Sequence, residues 1–96
     1  MAVRELTIEK VQEATDTTTE DGVVYKLVLY NDDVNTFDWV IESLMKVCDH
    51  TQEQADQCAH IVHYKGKCTV KLGSLDYLLP RRRALEERTL SAIIES

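Results

Sequence analysis

The chain has 96 residues, enough for one small domain but not for a second hydrophobic core. Its apolar fraction of 44% is that of an ordinary globular protein. The formal net charge of -6 argues against a large surface for nucleic acid, because such surfaces need clustered lysine and arginine. A negative net charge suits a cationic partner.

The sequence contains no export or membrane-insertion signal that we recognise. No apolar stretch approaches the roughly 20 residues that span a bilayer, and the first residues lack the layout of a signal peptide. An odd number of cysteines, three, without an export signal favours reduced thiols. We therefore expect a cytoplasmic protein with no membrane partner.

Residues 1–22 differ in composition from the rest of the chain. They combine low hydrophobicity with repeated acidic side chains, which predicts a flexible arm, although Thr7, Ile8 and Val11 also fit a short edge strand. Residues 23–96 form the predicted folded domain. The acidic residues of the arm are Glu5, Glu9, Glu13, Asp16, Glu20 and Asp21.

The first predicted strand, residues 23–30, is followed directly by Asn31-Asp32-Asp33. The β-branched and aromatic residues of 23–30 favour a strand. Two adjacent carboxylates repel each other, so a nearby cation would stabilise the triplet. Asn and Asp are also common in solvated turns that cap helices. Taken alone, the triplet fits such a turn better than a binding site.

Two helices are predicted next. The first, residues 36–48, has apolar residues at helical spacing and Asn35 as its predicted N-cap. The second begins with Thr51-Gln52-Glu53-Gln54, a capping-box pattern, and Gly66 marks its end. The inward-facing residues of the two helices are Phe37, Val40, Ile41, Leu44, Cys48, Ala55, Cys58, Ala59 and Val62.

The remaining elements complete the order β-α-α-β-α-β. Residues 67–72 alternate apolar and polar side chains, which predicts a half-buried strand with lysines outward. Pro80 is compatible with two structures of the third helix. Either a short turn at 74–78 precedes a helix that starts near residue 79, or one kinked helix is capped by Ser74. With a last strand at 89–95, the predicted fold class is α+β: three antiparallel strands packed against three helices.

Between Tyr25 and Gly73 the chain contains the motifs Tyr25-Lys26-Leu27-Val28-Leu29-Tyr30-Asn31-Asp32-Asp33, Val40-Ile41-Glu42, Ala55 and Val62-His63-Tyr64-Lys65-Gly66-Lys67. In these motifs and their separation the chain resembles the ClpS family, adaptors of Clp-type AAA+ unfoldase–protease machines. From Ser74 to Glu95 the resemblance is looser. The resemblance implies a non-enzymatic adaptor that binds N-degron substrates, whose first residue is Phe, Tyr, Trp or Leu, and delivers them to the unfoldase.

The resemblance also implies a role for individual residues. The substrate's α-amino group is held by Asn31, Asp32 and His63, with Asp32 acting directly or through a water molecule. Asp76 and Arg81, early in the third helix, dock on the unfoldase, and residues 1–22 help to transfer the substrate. The pocket for the first side chain is formed by Asp33, Asn35, Phe37, Val40, Ala59, Val62 and Leu90.

Four positions depart from the residues usual in that family. Asn35 stands where threonine is frequent, and Thr36 replaces a proline. Phe37 and Ala59 both stand where methionine is common. A large ring at one wall and a methyl group at another reshape the pocket, so amine capture is better determined than the choice among first residues.

The chemistry of an ammonium group fits the proposed trio. An ammonium has three N–H donors and no acceptor, and an amide, a carboxylate and a neutral imidazole can supply three acceptors. A protonated imidazole cannot accept, so we expect affinity to fall when acidification protonates His63.

Three other functions are open from the residues alone. The set Cys48, His50, Cys58, His60, His63 and Cys68 suggests a small metal-binding or protein-docking module, but structural zinc sites usually contain closely spaced cysteine pairs. Arg81-Arg82-Arg83 and Arg88 form a basic cluster that lacks aromatic partners for nucleic acid. An enzyme has least support, since we find no nucleophile motif, phosphate loop or cofactor site.

Overall fold

The computed structural model describes residues 23–96, and the predicted flexible arm, residues 1–22, lies outside the described residues. The element order is the predicted β-α-α-β-α-β. In chain order the elements are β1 (Tyr25–Tyr30), α1 (Phe37–Cys48), α2 (Gln52–Lys65), β2 (Lys67–Gly73), α3 (Leu75–Glu87) and β3 (Ser91–Glu95).

The three strands form one antiparallel sheet in the order β2-β1-β3, which confirms the predicted fold class. Tyr30, the last residue of the central strand, pairs with Lys67 at the start of β2 and with Ser91 at the start of β3. The carboxyl end of β1 therefore meets the beginnings of both neighbouring strands. The loop that leaves β1 lies at that edge of the sheet.

Strand β2 differs from the strict alternation predicted for it. Leu27 pairs with Lys71 and Val28 pairs with Thr69, so Val70 is an extra residue that forms a β-bulge. The extra residue shifts the alternation of the strand, so Lys71 and Leu72 lie on the sides of the sheet opposite to those predicted. Lys71 pairs with inward-facing Leu27, and Leu72 pairs with Lys26. His50 donates a hydrogen bond from Nε2 to the carbonyl oxygen of Val70 at 2.7 Å.

Side-chain caps begin all three helices. The predicted N-cap of α1, Asn35, is wrong by one residue: Thr36 accepts the hydrogen bond from the Trp39 amide at 3.1 Å, because the Asn35 side chain bonds elsewhere. The capping box of α2 is confirmed, with Thr51 and Gln54 bonding each other's backbone amides. Each cap satisfies amides that have no partner within the helix.

Helix α3 is continuous from Leu75 to Glu87 with Pro80 inside it, which excludes the alternative of a separate turn at 74–78. Ser74 is its N-cap, as predicted. Its last carbonyl groups accept from the amides of Arg88, Thr89 and Leu90. Thr89 adopts a left-handed conformation with φ of 68°, so β3 begins at Ser91, two residues later than predicted.

The core lies between the sheet and the helices. Leu27, Leu29, Leu44, Leu78 and Leu85 have at most 1% of their surface exposed. Within residues 23–96, no helix combines the length and the apolar character needed to cross a membrane. The other buried members of the core are Cys48, Ala55, Val62, Val70, Leu90 and Ala92.

Candidate functional site

A cavity of about 320 Å³ opens where β1 ends, between the loop that leads to α1 and the last turns of α2. Polar side chains lie on the loop side and apolar side chains on the helix side. The cavity is therefore an apolar pocket with a polar edge, which is the combination expected for a ligand with one charged and one apolar group. Its lining consists of Leu29, Tyr30, Asn31, Asp32, Asp33, Asn35, Thr36, Phe37, Val40, Ala59, Val62, His63 and Leu90.

One backbone hydrogen bond joins the two polar parts of the cavity. The amide of Asn31 donates to the carbonyl oxygen of Gly66 at 2.9 Å. Gly66 ends α2 in a left-handed conformation with φ of 93°, and His63 lies one turn before it. This contact brings the Asn31 segment and the His63 segment together although 32 positions separate these residues in the chain.

Asp32 organises the loop between β1 and α1. Its Oδ1 accepts hydrogen bonds from the amides of Val34 at 3.0 Å and Asn35 at 3.1 Å. The side-chain amide of Asn35 adds bonds to both carboxylate oxygens at 3.0 Å. Among the described residues, Oδ2 accepts only the hydrogen bond from Asn35 Nδ2. It therefore keeps capacity to accept from a ligand or a water molecule.

Asn35 also ties this loop to the turn that precedes β3. Its Nδ2 donates to the carbonyl oxygen of Thr89 at 2.9 Å, and its Oδ1 accepts from the Thr89 hydroxyl at 3.1 Å. Leu90, the next residue, is 4% exposed and contributes to the cavity wall. The hydrogen bonds of Asn35 therefore hold the third side of the cavity in place.

The His63 ring is held between two aromatic side chains. Phe37 meets it edge-on with centroids 5.2 Å apart, and Tyr64 meets it edge-on at 4.9 Å. No hydrogen bond from a residue in 23–96 reaches the imidazole, so its nitrogens keep their capacity for a ligand. Such ring pairs are a favoured aromatic geometry, so the contacts restrict the orientation of the imidazole.

The apolar wall combines small and large side chains. Ala59 and Val62 of α2 are 3% and 5% exposed, whereas Phe37, the first residue of α1, is 37% exposed. Phe37 also contacts His60 edge-on at 5.0 Å. The methyl group of Ala59 leaves space in the wall that a longer side chain would fill, and Phe37 closes the wall toward the surface.

All ten residues predicted for amine capture and for the pocket line this one cavity. Leu29, Tyr30 and Thr36 line it as well and were not predicted. Their position in the sequence was the available signal, since Tyr30 and Thr36 directly adjoin the predicted residues Asn31 and Asn35, and Leu29 lies two residues before Asn31. Tyr30 is fixed by a 2.5 Å hydrogen bond from its hydroxyl to Glu95, and this bond raises the pKa of Tyr30.

The two residues predicted to dock on the unfoldase lie on α3 and do not line this cavity. Asp76 is exposed in the first turn of the helix. Arg81 is half-buried: its guanidinium lies 3.8 Å from the centre of the Tyr77 ring and donates to the Tyr77 carbonyl oxygen at 2.8 Å. Asp76 is thus free to meet a partner, while Arg81 is already engaged within its own helix.

The cysteines and histidines of the metal alternative are dispersed. In the part of the chain that the structure describes, no three His, Cys, Asp or Glu side chains converge as a metal site requires. Cys48 is fully buried in the core, and burial raises its pKa to about 11. His50 and His60 each hydrogen-bond a backbone carbonyl oxygen.

Comparison with known proteins gives one consistent family. A family model described as ATP-dependent Clp protease adaptor protein ClpS matches residues 20–92. The Clp protease adapter protein ClpS of Campylobacter jejuni is 39% identical over 57 residues, and the match spans only 59% of the length of either chain. That of Acetivibrio thermocellus is 32% identical over 91 residues, covering 88% of this chain and 92% of the relative.

A solved structure shares the fold. It is Agrobacterium tumefaciens ClpS2 bound to L-phenylalaninamide, which superimposes with a TM-score of 0.69 at 20% sequence identity. The superposition covers 75% of this chain and 94% of that one. The arrangement of strands and helices described above is therefore also found in an experimental structure.

Proposed function

This chain belongs to the ClpS family of Clp protease adaptor proteins, and we propose that it is a cytoplasmic, non-enzymatic adaptor for N-degron substrates. It captures proteins whose first residue is Phe, Tyr, Trp or Leu and delivers them to a Clp-type AAA+ unfoldase. The observation that carries this proposal is the convergence of Asn31, Asp32 and His63 beside one apolar cavity.

The polar edge supplies what an α-ammonium group needs. The Asn31 side-chain oxygen, Oδ2 of Asp32 and a neutral His63 nitrogen can accept the three N–H groups. Asp32 also provides negative charge, directly or through a water molecule. Charge-assisted hydrogen bonds of this kind are about twice as strong as neutral ones, so their sum offsets the desolvation of the ammonium.

The same edge rejects the interior of a polypeptide. A peptide nitrogen within a chain has one hydrogen and no charge, so it would leave two of the three acceptors without a donor. Sites built to hydrogen-bond a particular group discriminate strongly against ligands that lack it. Selectivity for the beginning of a chain thus follows from the count of donors.

The apolar wall then selects the first side chain. Ala59, Val62 and Leu90 are almost completely buried and offer only hydrocarbon surface. Burying a large apolar side chain there contributes about 1.5–3 kcal/mol. The structural relative carries L-phenylalaninamide, which has a free amine and an apolar ring, and this supports the same ligand class here.

Delivery requires a second surface. The exposed carboxylate of Asp76 and the guanidinium of Arg81 form the proposed contact with the unfoldase, with residues 1–22 assisting the transfer. Because Arg81 is already bonded to Tyr77, we assign the larger share of this contact to Asp76. Neither residue belongs to the cavity, so the protein can hold a substrate and its partner at the same time.

A matched pair of peptides tests the proposal. One peptide begins with a free Phe, and the other has the same sequence with the amino group acetylated. Fluorescence anisotropy should show saturable binding of the first and loss of binding of the second, because acetylation removes the charge and two of the three donors. Equal binding of both would contradict amine capture and favour a general docking module.

A further inference from the structure

An apolar groove lies at the free edge of β3, where the first half of α3 packs beside the sheet. Its volume is about 320 Å³, and it shares no lining residue with the candidate binding cavity. Leu75, Leu79 and Ile93 are 42%, 38% and 49% exposed, and all three line it, together with Tyr25 and Ile94. Large apolar side chains that gather in one groove and stay exposed indicate an interaction surface.

The backbone of β3 adds polar groups to the same edge. β3 is an outer strand of the sheet, and among residues 23–96 only β1 pairs with it. Nε of Arg82 donates to the carbonyl oxygen of Ala92 at 3.1 Å, so the backbone of Ala92 faces away from β1. Backbone groups alternate in direction along a strand, so the N–H and C=O of Ile94 also face the free edge, whereas those of Ile93 face β1. An extended segment can therefore pair with β3 and place alternate side chains in the groove.

Residues 6–11, which lie outside the described residues, have the sequence that such a segment needs. Leu6-Thr7-Ile8-Glu9 alternates apolar and polar residues, so an extended backbone would place Leu6 and Ile8 on one side. The sequence analysis already noted that this part of the chain fits a short edge strand.

The connection to β1 allows this segment to reach the groove. Tyr25, the first residue of β1, lines the groove, and residues 12–22 lie between the segment and the described residues. Eleven residues span up to roughly 36 Å when extended, about twice the length of the five-residue strand β3. A tethered segment also acts at a local concentration on the order of millimolar, which favours it over an untethered partner.

We propose that residues 6–11 of the same chain dock in this groove as a fourth strand beside β3. Leu6 and Ile8 pack against Leu75 and Leu79, and the segment's backbone pairs with the N–H and C=O of Ile94. Docking removes the exposed leucine side chains from water and closes the open edge of the sheet. The inference does not depend on which ligand the candidate cavity binds.

Docking also has a consequence for the surface proposed to meet the unfoldase, and this consequence rests on the proposed function. Asp76 follows Leu75 directly in the first turn of α3 and is exposed. A docked segment therefore lies beside Asp76. A partner that covers Asp76 contacts the segment as well, which places the arm where substrate transfer would begin.

Amide hydrogen exchange on the full-length chain, followed by NMR, tests the docking. In the wild type the Ile94 amide should be protected, although no described strand pairs with it. Ile8→Asp should make it exchange about tenfold faster or more, because exchange follows the opening of local structure. The neighbouring Ile93 amide, which faces β1, should keep its rate. Thr18→Asp is the matched control, since it adds the same charge to the arm outside residues 6–11, and both rates should stay at their wild-type values.

Contacts between methyl groups identify the occupant. Nuclear Overhauser effects should join Leu6 or Ile8 to Leu75 or Leu79 in the wild type. An unprotected Ile94 amide, or an unchanged rate in Ile8→Asp, would overturn the proposal. Protection that rises with protein concentration would instead assign the groove to a second copy of the chain. Protection without any contact from residues 6–11 would also contradict the proposed occupant. None of these outcomes bears on peptide binding at the candidate cavity.

Discussion

Asp32 shows at the level of a single residue how a carboxylate can serve structure and ligand together. Its Oδ1 accepts from two backbone amides and one side-chain amide of its own loop, so the triplet does form a hydrogen-bonded turn, although the cap of α1 is Thr36. The same carboxylate lines the cavity. The turn and the proposed cation site are therefore compatible, since Oδ1 holds the turn while Oδ2, which accepts only from the Asn35 side chain among the described residues, keeps capacity to accept.

The three residues proposed to hold the amine are not equivalent. Asn31 and His63 have side chains without a hydrogen-bond partner among residues 23–96, whereas Asp32 is already bonded to Asn35. Removal of His63 should therefore act on binding with little effect on folding. Its ring is exposed and contributes aromatic contacts but no internal hydrogen bond.

Replacement of His63 tests this directly. His63→Ala should weaken binding of a peptide with a free amino-terminal Phe about 10- to 150-fold, the equivalent of one charge-assisted hydrogen bond of about 1.5–3 kcal/mol. The measurement is a titration followed by fluorescence anisotropy. His60→Ala is the matched control, because His60 also contacts Phe37 but does not line the cavity. Equal losses for both variants would remove the special role of His63.

Acidification should have a related effect. A protonated imidazole repels the substrate's ammonium instead of accepting from it. Affinity for the Phe peptide should therefore fall on acidification. The decrease should be much smaller in His63→Gln, whose side-chain oxygen accepts at every pH. A flat wild-type profile would exclude the imidazole as an acceptor.

At the scale of secondary-structure elements, the end of α2 determines how the cavity is assembled. Gly66 stops the helix, its carbonyl oxygen receives the Asn31 amide, and β2 starts at the next residue. A longer helix would carry His63 away from Asn31 or displace the first pair of β2. The position of one glycine thus sets both the sheet register and the geometry of the site.

Substitution of Gly66 measures this dependence. A Cβ at Gly66 would meet no atom within 4 Å, so the cost of Gly66→Ala comes from its φ of 93° alone. We expect a loss of about 1–2 kcal/mol in the free energy of unfolding, followed by urea denaturation. Gly66→Asn should lose less, because asparagine tolerates the left-handed region better. An alanine variant as stable as the wild type would show that the backbone relaxes there.

At the scale of the whole molecule, the cavity joins segments that are far apart in sequence. Asn35 follows β1, while Thr89 precedes β3, and their side chains and backbone exchange two hydrogen bonds. Trp39 reinforces this junction, since its indole donates to the Arg88 carbonyl oxygen at 2.8 Å and the Arg88 guanidinium lies 4.2 Å from its ring centre. The wall that contains Leu90 depends on these contacts.

Two asparagine variants distinguish a residue that binds the ligand from one that stabilises the cavity wall. Asn35→Ala should lower the free energy of unfolding by about 1–2 kcal/mol and weaken peptide binding, because it releases the Asp32 carboxylate and the Thr89 turn. Asn31→Ala removes an exposed side chain and should weaken binding with stability nearly unchanged. Thermal denaturation and anisotropy on both variants provide the comparison. A stable Asn35→Ala with normal affinity would show that the junction is dispensable.

The sequence by itself determined the order and type of the elements, because hydrophobic periodicity, the capping box at Thr51 and the stop at Gly66 are local signals. The motif resemblance also selected in advance ten of the thirteen residues that line the cavity. The roles of these residues in binding stay predictions that the peptide titrations address. Residues with strong local signals and a known pattern were thus identifiable before the fold was seen.

Only the tertiary structure decided the features that depend on distant partners. Asn35 is not the helix cap because Thr89, 54 positions away, engages its side chain and leaves that role to Thr36. The bulge at Val70 arises where β2 must pair with β1 while His50 bonds its carbonyl oxygen. Helix α3 stays continuous through Pro80 because packing of Leu78 and Leu85 in the core outweighs one lost backbone hydrogen bond. Periodicity reports which face of an element is buried, but it contains no information about what lies opposite that face.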